Sequence, residues 1–322
     1  PSRRLAAKVM LQIYRFTARK ADLQGELPAP IDGTLARVWP EERLHLAGYL
    51  GTESVFAKDT MQCQSADGRI LGYVKIPRGP AARASIQHEA TILQRLRAVH
   101  GADSFFPEVI SFEEDLLVQS APLGSSNDAV NDPSLAVALV ERIFATDISD
   151  ISWSRSPLRR DIADRSSPKD PLCGRLQRGM SERDKRFGGV PIPHGLSHGD
   201  LVPWNLRRAS GGCFAFDWEW AAPRLPYADL FHFLWFPRLH GRRATSPSVL
   251  VESWQHFVRQ YCPNHGDADP LDTAWALAYT LDRVSFYALS CEVKGDDPLA
   301  FPFISRLRNL LEFLTSSVAR SG

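Results

Sequence analysis

Eight consecutive residues, His198-Gly199-Asp200-Leu201-Val202-Pro203-Trp204-Asn205, place a carboxylate and an amide five positions apart in one loop, and Asp217 follows twelve residues after the amide. That set suits transfer of a phosphoryl group from a magnesium nucleotide to a hydroxyl. Asp200 is placed to accept or orient the proton of the acceptor alcohol. The side-chain oxygen of Asn205 and the carboxylate of Asp217 are two hard oxygen ligands, which suits Mg²⁺ because that ion keeps water and phosphate oxygens in its other positions. His198 is expected to support the loop's geometry rather than move protons. Any one of these residues alone is usually a solvated or hydrogen-bonded loop residue; the joint pattern carries the reading.

Such a loop needs elements on either side to aim it. Residues 211–216 (GGCFAF) read as a turn and a short apolar strand that return Asp217 to the loop. Upstream, the alternation of Ile70-Leu71-Gly72-Tyr73-Val74-Lys75-Ile76 puts Ile70, Val74 and Ile76 on one face of a strand and Leu71, Tyr73 and Lys75 on the other. A lysine in an apolar strand destabilises it unless paired or ligand-bound. Glu89 lies fourteen residues on, in a helix expected over 83–98 whose Ile86, Ala90, Leu93 and Leu96 make an apolar stripe, and it borders that stripe where it can pair with Lys75. Residues 43–62 read as strand, turn and strand with Gly51-Thr52-Glu53-Ser54 at the turn. Backbone N–H groups at Gly51, Thr52 and Ser54 can cover nucleotide phosphates, although the turn is not a full G-x-G-x-x-G pattern.

HGDLVPWN followed by FDWEWA resembles the aminoglycoside phosphotransferase and choline kinase family, the small-molecule branch of the protein-kinase-like fold. Where protein kinases carry Asp-Phe-Gly, this chain has Asp217-Trp218-Glu219, which is similar to the small-molecule branch. The resemblance implies an α+β, bilobal architecture. A small antiparallel-sheet lobe with one helix would bind the nucleotide, and a larger, mainly helical lobe would carry the catalytic loop, with ATP between them. It implies that Lys75 holds the α- and β-phosphates under the orientation of Glu89, and that Asp229, in Pro226-Tyr227-Ala228-Asp229, braces the catalytic loop. Leu116 to Gly124 would contain the hinge, where backbone groups of Gln119, Ser120 and Ala121 meet the adenine edge. Backbone recognition leaves little side-chain signature, so GTP is not excluded as donor. The acceptor site would be built from C-terminal helices, with Trp254, Trp275, Asp282 and Tyr287 as candidates.

The three segments expected are 1–40, an N-terminal extension with a helix and a linker; 41–121, the nucleotide-binding lobe and hinge; and 122–322, the helical lobe. With 322 residues, 44% of them hydrophobic, the chain can bury a substantial core. A net charge of +1 points away from nucleic acid as partner. Five scattered cysteines without a C-x-x-C pair read as reduced thiols in a cytoplasmic protein. No apolar run reaches the length of a membrane span. Residues 3–20 hold six basic residues and no acid, with Leu5, Val9 and Ile13 at helical spacing. A helix docked on its own domain is the preferred reading there, over peripheral membrane contact. Pro28, Pro30, Gly33 and Pro40 suggest an irregular linker.

Asp132-Pro133 reads as cap and first residue of a helix reaching about 147. Residues 151–190 carry ten Lys or Arg against five acids and much Ser and Pro, a pattern of loop that can draw an anionic acceptor but is more simply a solvated face. The acids at 267, 269 and 272 read as solvated loop. His232, in an apolar helix after Asp229, reads as a satisfied core histidine, and helices are expected near 247–261, 271–291 and 299–317. The activity expected is therefore an ATP- and Mg²⁺-dependent kinase for a small hydroxylated acceptor: a metabolite, sugar, amino alcohol or aminoglycoside-like molecule. Two other classes stay open: a non-catalytic, kinase-like nucleotide-binding protein, and a metal-dependent hydrolase using His194, His198, Asp200 and Asp217.

Overall fold

The computed structural model describes residues 28–321 apart from 50, 52–53, 102–104, 114, 122–131, 167–171, 210–211, 242–244, 263–272 and 295–300. The basic segment 3–20, Thr52 and the acids at 267, 269 and 272 lie outside the described residues. The chain divides into two compact units, 1–124 and 125–322.

The first unit is built on one antiparallel sheet with order β1-β2-β3-β5-β4, from β1 (His45–Tyr49), β2 (Lys58–Gln64), β3 (Ile70–Pro77), β4 (Val109–Glu113) and β5 (Leu116–Ser120). Strand alternation divides its side chains between two helices. Val74 of β3 and Leu116 and Val118 of β5 pack with Met61 and Cys63 against Ile31 and Leu35 of α1 (Ala29–Val38). Leu117 packs the other way, onto Ile86 and Ala90 of α2 (Pro80–His100). Each fully buried aliphatic side chain contributes about 1.5–3 kcal/mol, so α1 and α2 are held by packing.

Helix α1 corrects the linker expected over 28–40. Pro30 stands in the first turn, where no intrahelical N–H partner is required, so it starts the helix instead of breaking it. Gly33 is tolerated because Ile31, Thr34 and Leu35 supply the buried face. Among its described residues the unit thus holds α1 beside the helix expected over 83–98.

The second unit opens with α3 (Pro133–Phe144), capped by the Asp132 carboxylate accepting from the Ser134 N–H at 3.0 Å. The segment 151–190, expected as loop, is largely regular: β6 (Ser149–Ser152), a 3₁₀ turn at Trp153–Arg155, α4 (Pro157–Arg165) and α5 (Cys173–Phe187). Leu158 and Ile162 of α4 sit one turn apart and are buried, a two-residue anchor that charge and proline counts conceal. Much of the segment's basic charge is paired within the unit: Arg159 with Asp184 at 2.7 Å, Arg165 with Asp282 at 2.8 Å, Lys185 with Glu182 at 2.6 Å, and Arg175 with Glu312.

The chain continues through β7 (Pro191–Ser197), the hairpin β8 (Leu206–Ala209) and β9 (Gly212–Ala215), and β10 (Ala222–Arg224). Strands β10, β7 and β6 form a small sheet in that order, and β8 and β9 pair alone. Helices α6 (Ala228–His240), α7 (Pro247–Tyr261), α8 (Thr273–Lys294) and α9 (Pro302–Ser321) build the core. Trp254 and Trp275, expected as acceptor candidates, are buried in it: Trp254 packs on Phe231 with ring centroids 4.0 Å apart, and the Arg183 guanidinium lies 5.4 Å from the Trp275 ring. Among the described residues no helix is long and apolar enough to cross a membrane.

Candidate active site

In the first unit, Lys75 on β3 and Glu89 on α2 meet as expected. The ammonium donates to both carboxylate oxygens, at 2.6 and 2.7 Å, with the two side chains 2% and 0% exposed. A buried ion pair loses hydration on both partners, and two-oxygen contact is the geometry that best offsets that loss. Residue parity explains the meeting: Val74 faces α1, so Lys75 must face α2, where Glu89 adjoins Ile86 and Ala90.

The other residues expected around the nucleotide lie in the connection between β1 and β2 and at the end of β5. The Gly51 N–H is turned to Asp59 Oδ1 at 3.2 Å, and Asp59 also binds Arg78, so this amide braces the hairpin. Ser54 lies nearby and accepts the Ala57 N–H through its carbonyl at 3.1 Å. Gln119 and Ser120 belong to the ladder of β5: Gln119 stands opposite Tyr73 and Val109, and the Ser120 N–H donates to the Glu108 carbonyl at 2.9 Å. Ala121 is the first residue beyond that ladder.

In the second unit the loop 198–205 leaves β7 at Ser197 and is clamped by Asp229. Asp229, in the first turn of α6, accepts from the Ser197 hydroxyl at 2.8 Å, the His198 N–H at 2.7 Å and the Gly199 N–H at 3.0 Å. These charge-assisted bonds lie at the positive end of the helix. Gly199 turns the chain with φ +81°, and a Cβ there would fall 2.2 Å from the Trp220 carbonyl oxygen. Both the dihedral and the close approach exclude a side chain.

His198 bonds to backbone on both ring nitrogens. Its Nε2 donates to the Phe216 carbonyl at 2.7 Å, its Nδ1 accepts the Asp200 N–H at 3.3 Å, and its ring packs on Trp218. The Phe216 N–H in turn donates to the Asn205 carbonyl at 2.9 Å, so the β8–β9 hairpin delivers Asp217 directly beside the loop. Asp217 adopts a left-handed backbone, φ 60°.

Asn205 folds back on Asp200, donating from Nδ2 to its backbone carbonyl and its Oδ2, both at 3.0 Å. The other carboxylate oxygen is held by a residue that sequence reasoning assigned to the core: His232 Nε2 lies 2.9 Å from Asp200 Oδ1. Behind it Tyr279 of α8 contacts His232 Nδ1 at 3.0 Å. Arg283, one turn further along α8, donates to the Gly199 carbonyl at 3.0 Å and also pairs with Asp282. Burial alone would raise the Asp282 pKa, but the guanidinium groups of Arg283, Arg224 and Arg165 hold it well below the usual carboxylate range. Asp282, expected as an acceptor contact, is thus buried within an arginine cluster; Tyr287 is half-buried against Phe303.

The four residues of the hydrolase alternative do not form a ligand cluster. His194 is buried and contacts Ser156 Oγ at 2.7 Å and the Ile192 carbonyl at 3.0 Å, while both His198 nitrogens serve the backbone. Among the described residues no group of three or more His, Cys, Asp or Glu side chains converges.

No protein-family model and no curated protein sequence matches this chain. Solved structures do. The chain is similar to the choline kinase LicA from Streptococcus pneumoniae, at 13% identity and TM-score 0.58, covering 89% of this chain and 98% of that one. It is also similar to a thermostable mutant of aminoglycoside phosphotransferase APH(4)-Ia solved with AMP-PNP and hygromycin B, at 14% identity and TM-score 0.60, covering 90% and 99%. A third is the macrolide 2'-phosphotransferase MphH from Brachybacterium faecium, at 19% identity and TM-score 0.53, covering 87% and 98%. At these identities the likeness establishes the fold, and the α+β architecture of the small-molecule phosphotransferases is the fold of this chain.

Proposed function

We propose that this chain is an ATP-dependent small-molecule kinase, transferring the γ-phosphoryl group in line to a hydroxyl of a metabolite, sugar, amino alcohol or aminoglycoside-like acceptor. The observation that supports this most is the presentation of Asp200. Its carboxylate is 30% exposed, while both its oxygens are gripped from within the protein, Oδ2 by Asn205 and Oδ1 by His232. A carboxylate fixed in that way and still open to a ligand is suited to receive a proton.

The donor set fits Mg²⁺. Asn205 commits its amide nitrogen to Asp200, so its oxygen is the end that remains for a cation, and Asp217 stands next to Phe216, which is bonded to both Asn205 and His198. When bound there, the ion would offset charge on the phosphate oxygens. Lys75, oriented by Glu89, is the proposed partner of the α- and β-phosphates. Asp200 orients the acceptor hydroxyl. As its oxygen bonds to the γ-phosphorus and the bond to the β–γ bridging oxygen breaks, the hydroxyl proton passes to the Asp200 carboxylate and then to water. The products are a phosphate monoester, ADP and one proton.

The acceptors named for the neighbours are chemically unlike one another, so the shared element is the hydroxyl. The internal pairing of Arg159, Arg165 and Arg175 withdraws the support that net charge gave to an anionic acceptor. The first test is thermal stability with ATP, GTP or ADP, each with and without Mg²⁺. At a nucleotide concentration a hundredfold above Kd, binding adds about 2.7 kcal/mol. A Mg²⁺-dependent rise with ATP that is lost in Asp217→Ala and kept in Asp200→Asn is the expected result. No rise with any nucleotide would overturn the proposal.

A further inference from the structure

We propose that His232 is a positioning residue for the base, held as its Nε2–H tautomer by Tyr279 and fixing one oxygen of the Asp200 carboxylate. This inference rests on the kinase reading above and goes beyond it, since nothing in the catalytic loop itself calls for a histidine on α6.

The tautomer follows from what each atom can do. An ionised carboxylate only accepts, so the 2.9 Å contact at Asp200 Oδ1 requires a proton on His232 Nε2. A neutral ring then has a lone pair at Nδ1, and the Tyr279 hydroxyl, 3.0 Å away, must be its donor. The surroundings keep both groups in those forms. His232 is 2% exposed, and burial lowers its pKa against the opposing pull of Asp200. Burial likewise raises the Tyr279 hydroxyl well above its ordinary value, so it remains a donor. Donation therefore runs in one direction, from Tyr279 through His232 to Asp200, and ends on the one member of the chain that is open to a ligand.

The packing makes this direction rigid. The His232 ring lies against Phe236, one turn on along α6, with centroids 4.4 Å apart, and against the edge of Tyr279. Its partner is therefore fixed before any substrate arrives. With Asn205 on Oδ2 and His232 on Oδ1, the carboxylate is held against rotation about its terminal torsion, while the side chain stays 30% exposed. No proton passes onto the imidazole: it donates the same hydrogen bond before and after the base is protonated. Orientation of this kind matters because small misplacements of a catalytic group reduce turnover by about 10²-fold.

The test uses the full chain with Mg²⁺ and ATP, and water as the acceptor, so that the natural alcohol is not required. His232→Phe, His232→Gln and Tyr279→Phe are compared with the parent for ATP hydrolysis, for the nucleotide-induced rise in Tm, and for the ring-nitrogen NMR signals of ¹⁵N-histidine-labelled protein. His232→Phe is expected to lose about 10²-fold in kcat with the KM for ATP within about twofold, because the donor to Oδ1 is gone while the nucleotide groups stand. His232→Gln, whose amide can still donate, should recover part of that loss, a rescue that mere cavity filling would not give. Tyr279→Phe should lose several-fold in kcat because the ring loses its hold at Nδ1, while its His232 signal stays in the Nε2–H form that the Asp200 carboxylate requires. A parent protein that turns over ATP while His232→Phe matches it, or a His232 signal showing the Nδ1–H form, overturns this inference alone. A parent that neither binds nor hydrolyses Mg²⁺·ATP overturns the kinase reading and this inference with it.

Discussion

The two units hold their ionisable groups by opposite means. In the first, Lys75 and Glu89 form a buried pair, the ammonium bonded to both carboxylate oxygens, with neither side chain exposed beyond 2%. In the second, Asp200 keeps nearly a third of its side chain open, and the positioning is done at one remove: Asp229 grips loop amides, Arg283 a loop carbonyl, and His232 an oxygen of the carboxylate. A charge sealed with its partner is bound to stability. A charge left open and steered from behind can be altered without unfolding the protein. The difference predicts which substitutions damage the fold and which damage only the chemistry.

The sharpest separation is Asp200→Asn. Turnover of Mg²⁺·ATP should fall by about 10²- to 10⁴-fold, the range for loss of a positioned base, with nucleotide binding retained and a loss of Tm smaller than at the buried sites below, since the amide nitrogen would face the donor on Asn205 or His232 at a partly exposed position. A variant that keeps parental turnover would remove Asp200 from the mechanism. Next comes Glu89→Ala, which strands a buried ammonium and should destabilise the protein by about 3–5 kcal/mol in denaturant unfolding. Lys75→Met combined with Glu89→Leu should recover much of that stability without recovering nucleotide binding. If the double variant is as unstable as the single one, the pair is not the unit described.

Asp229→Asn lies between the two cases, because it weakens three bonds to the loop and replaces a buried acceptor by a group that is half donor. A loss of about 1.5–3 kcal/mol in unfolding free energy is expected, with reduced kcat, since hydrogen bonds to a charged group carry roughly that weight. The smallest effect is one of pH. His194 and His232 are buried and neutral, with pKa lowered by burial below the unfolded value of 6.5. Below that value the unfolded chain binds protons that the folded chain does not. Stability from these groups is thus fully present above about pH 6.5 and declines as pH falls, by up to about 1.4 kcal/mol per pH unit for each group. Unfolding curves between pH 7.5 and 5.5 should show a shallower decline in His194→Gln than in the parent.

What could be read in the sequence, and what could not, divides along similar lines. Lys75 and Glu89 were legible because strand parity and the helix stripe each fix a direction, and the two directions meet. The loop 198–205 was legible as one group because its residues lie within eight positions and Asp217 follows on the next hairpin. Helix α1 was hidden because prolines in a first turn look the same in sequence as prolines in a linker. Helices α4 and α5 were hidden because charges pointing to partners such as Asp184 and Glu312 look the same as charges in a loop. His232 was placed in the core, which is where it lies, but its partner is 32 residues upstream, and no local period relates a helix residue to a loop it underlies. The signal available was a histidine in a helix of otherwise apolar inward residues; Tyr279 and Arg283, in a later helix, gave none.

The reach of these supports along the chain has a consequence for synthesis on the ribosome. Gly199 is held by Arg283, which is made 84 residues later, and the histidine that steers Asp200 is itself held by Tyr279. Domains fold largely as units while the chain emerges, at about 5–20 residues per second. The first unit, with its Lys75–Glu89 pair, can therefore close while the second is still being translated. The loop 198–205 will have left the ribosome with neither of its α8 supports, and a chain that stops short of α8 would carry a formed Lys75–Glu89 pair and an unsteered Asp200. On this arrangement the loop gains both supports in one step, when α8 docks.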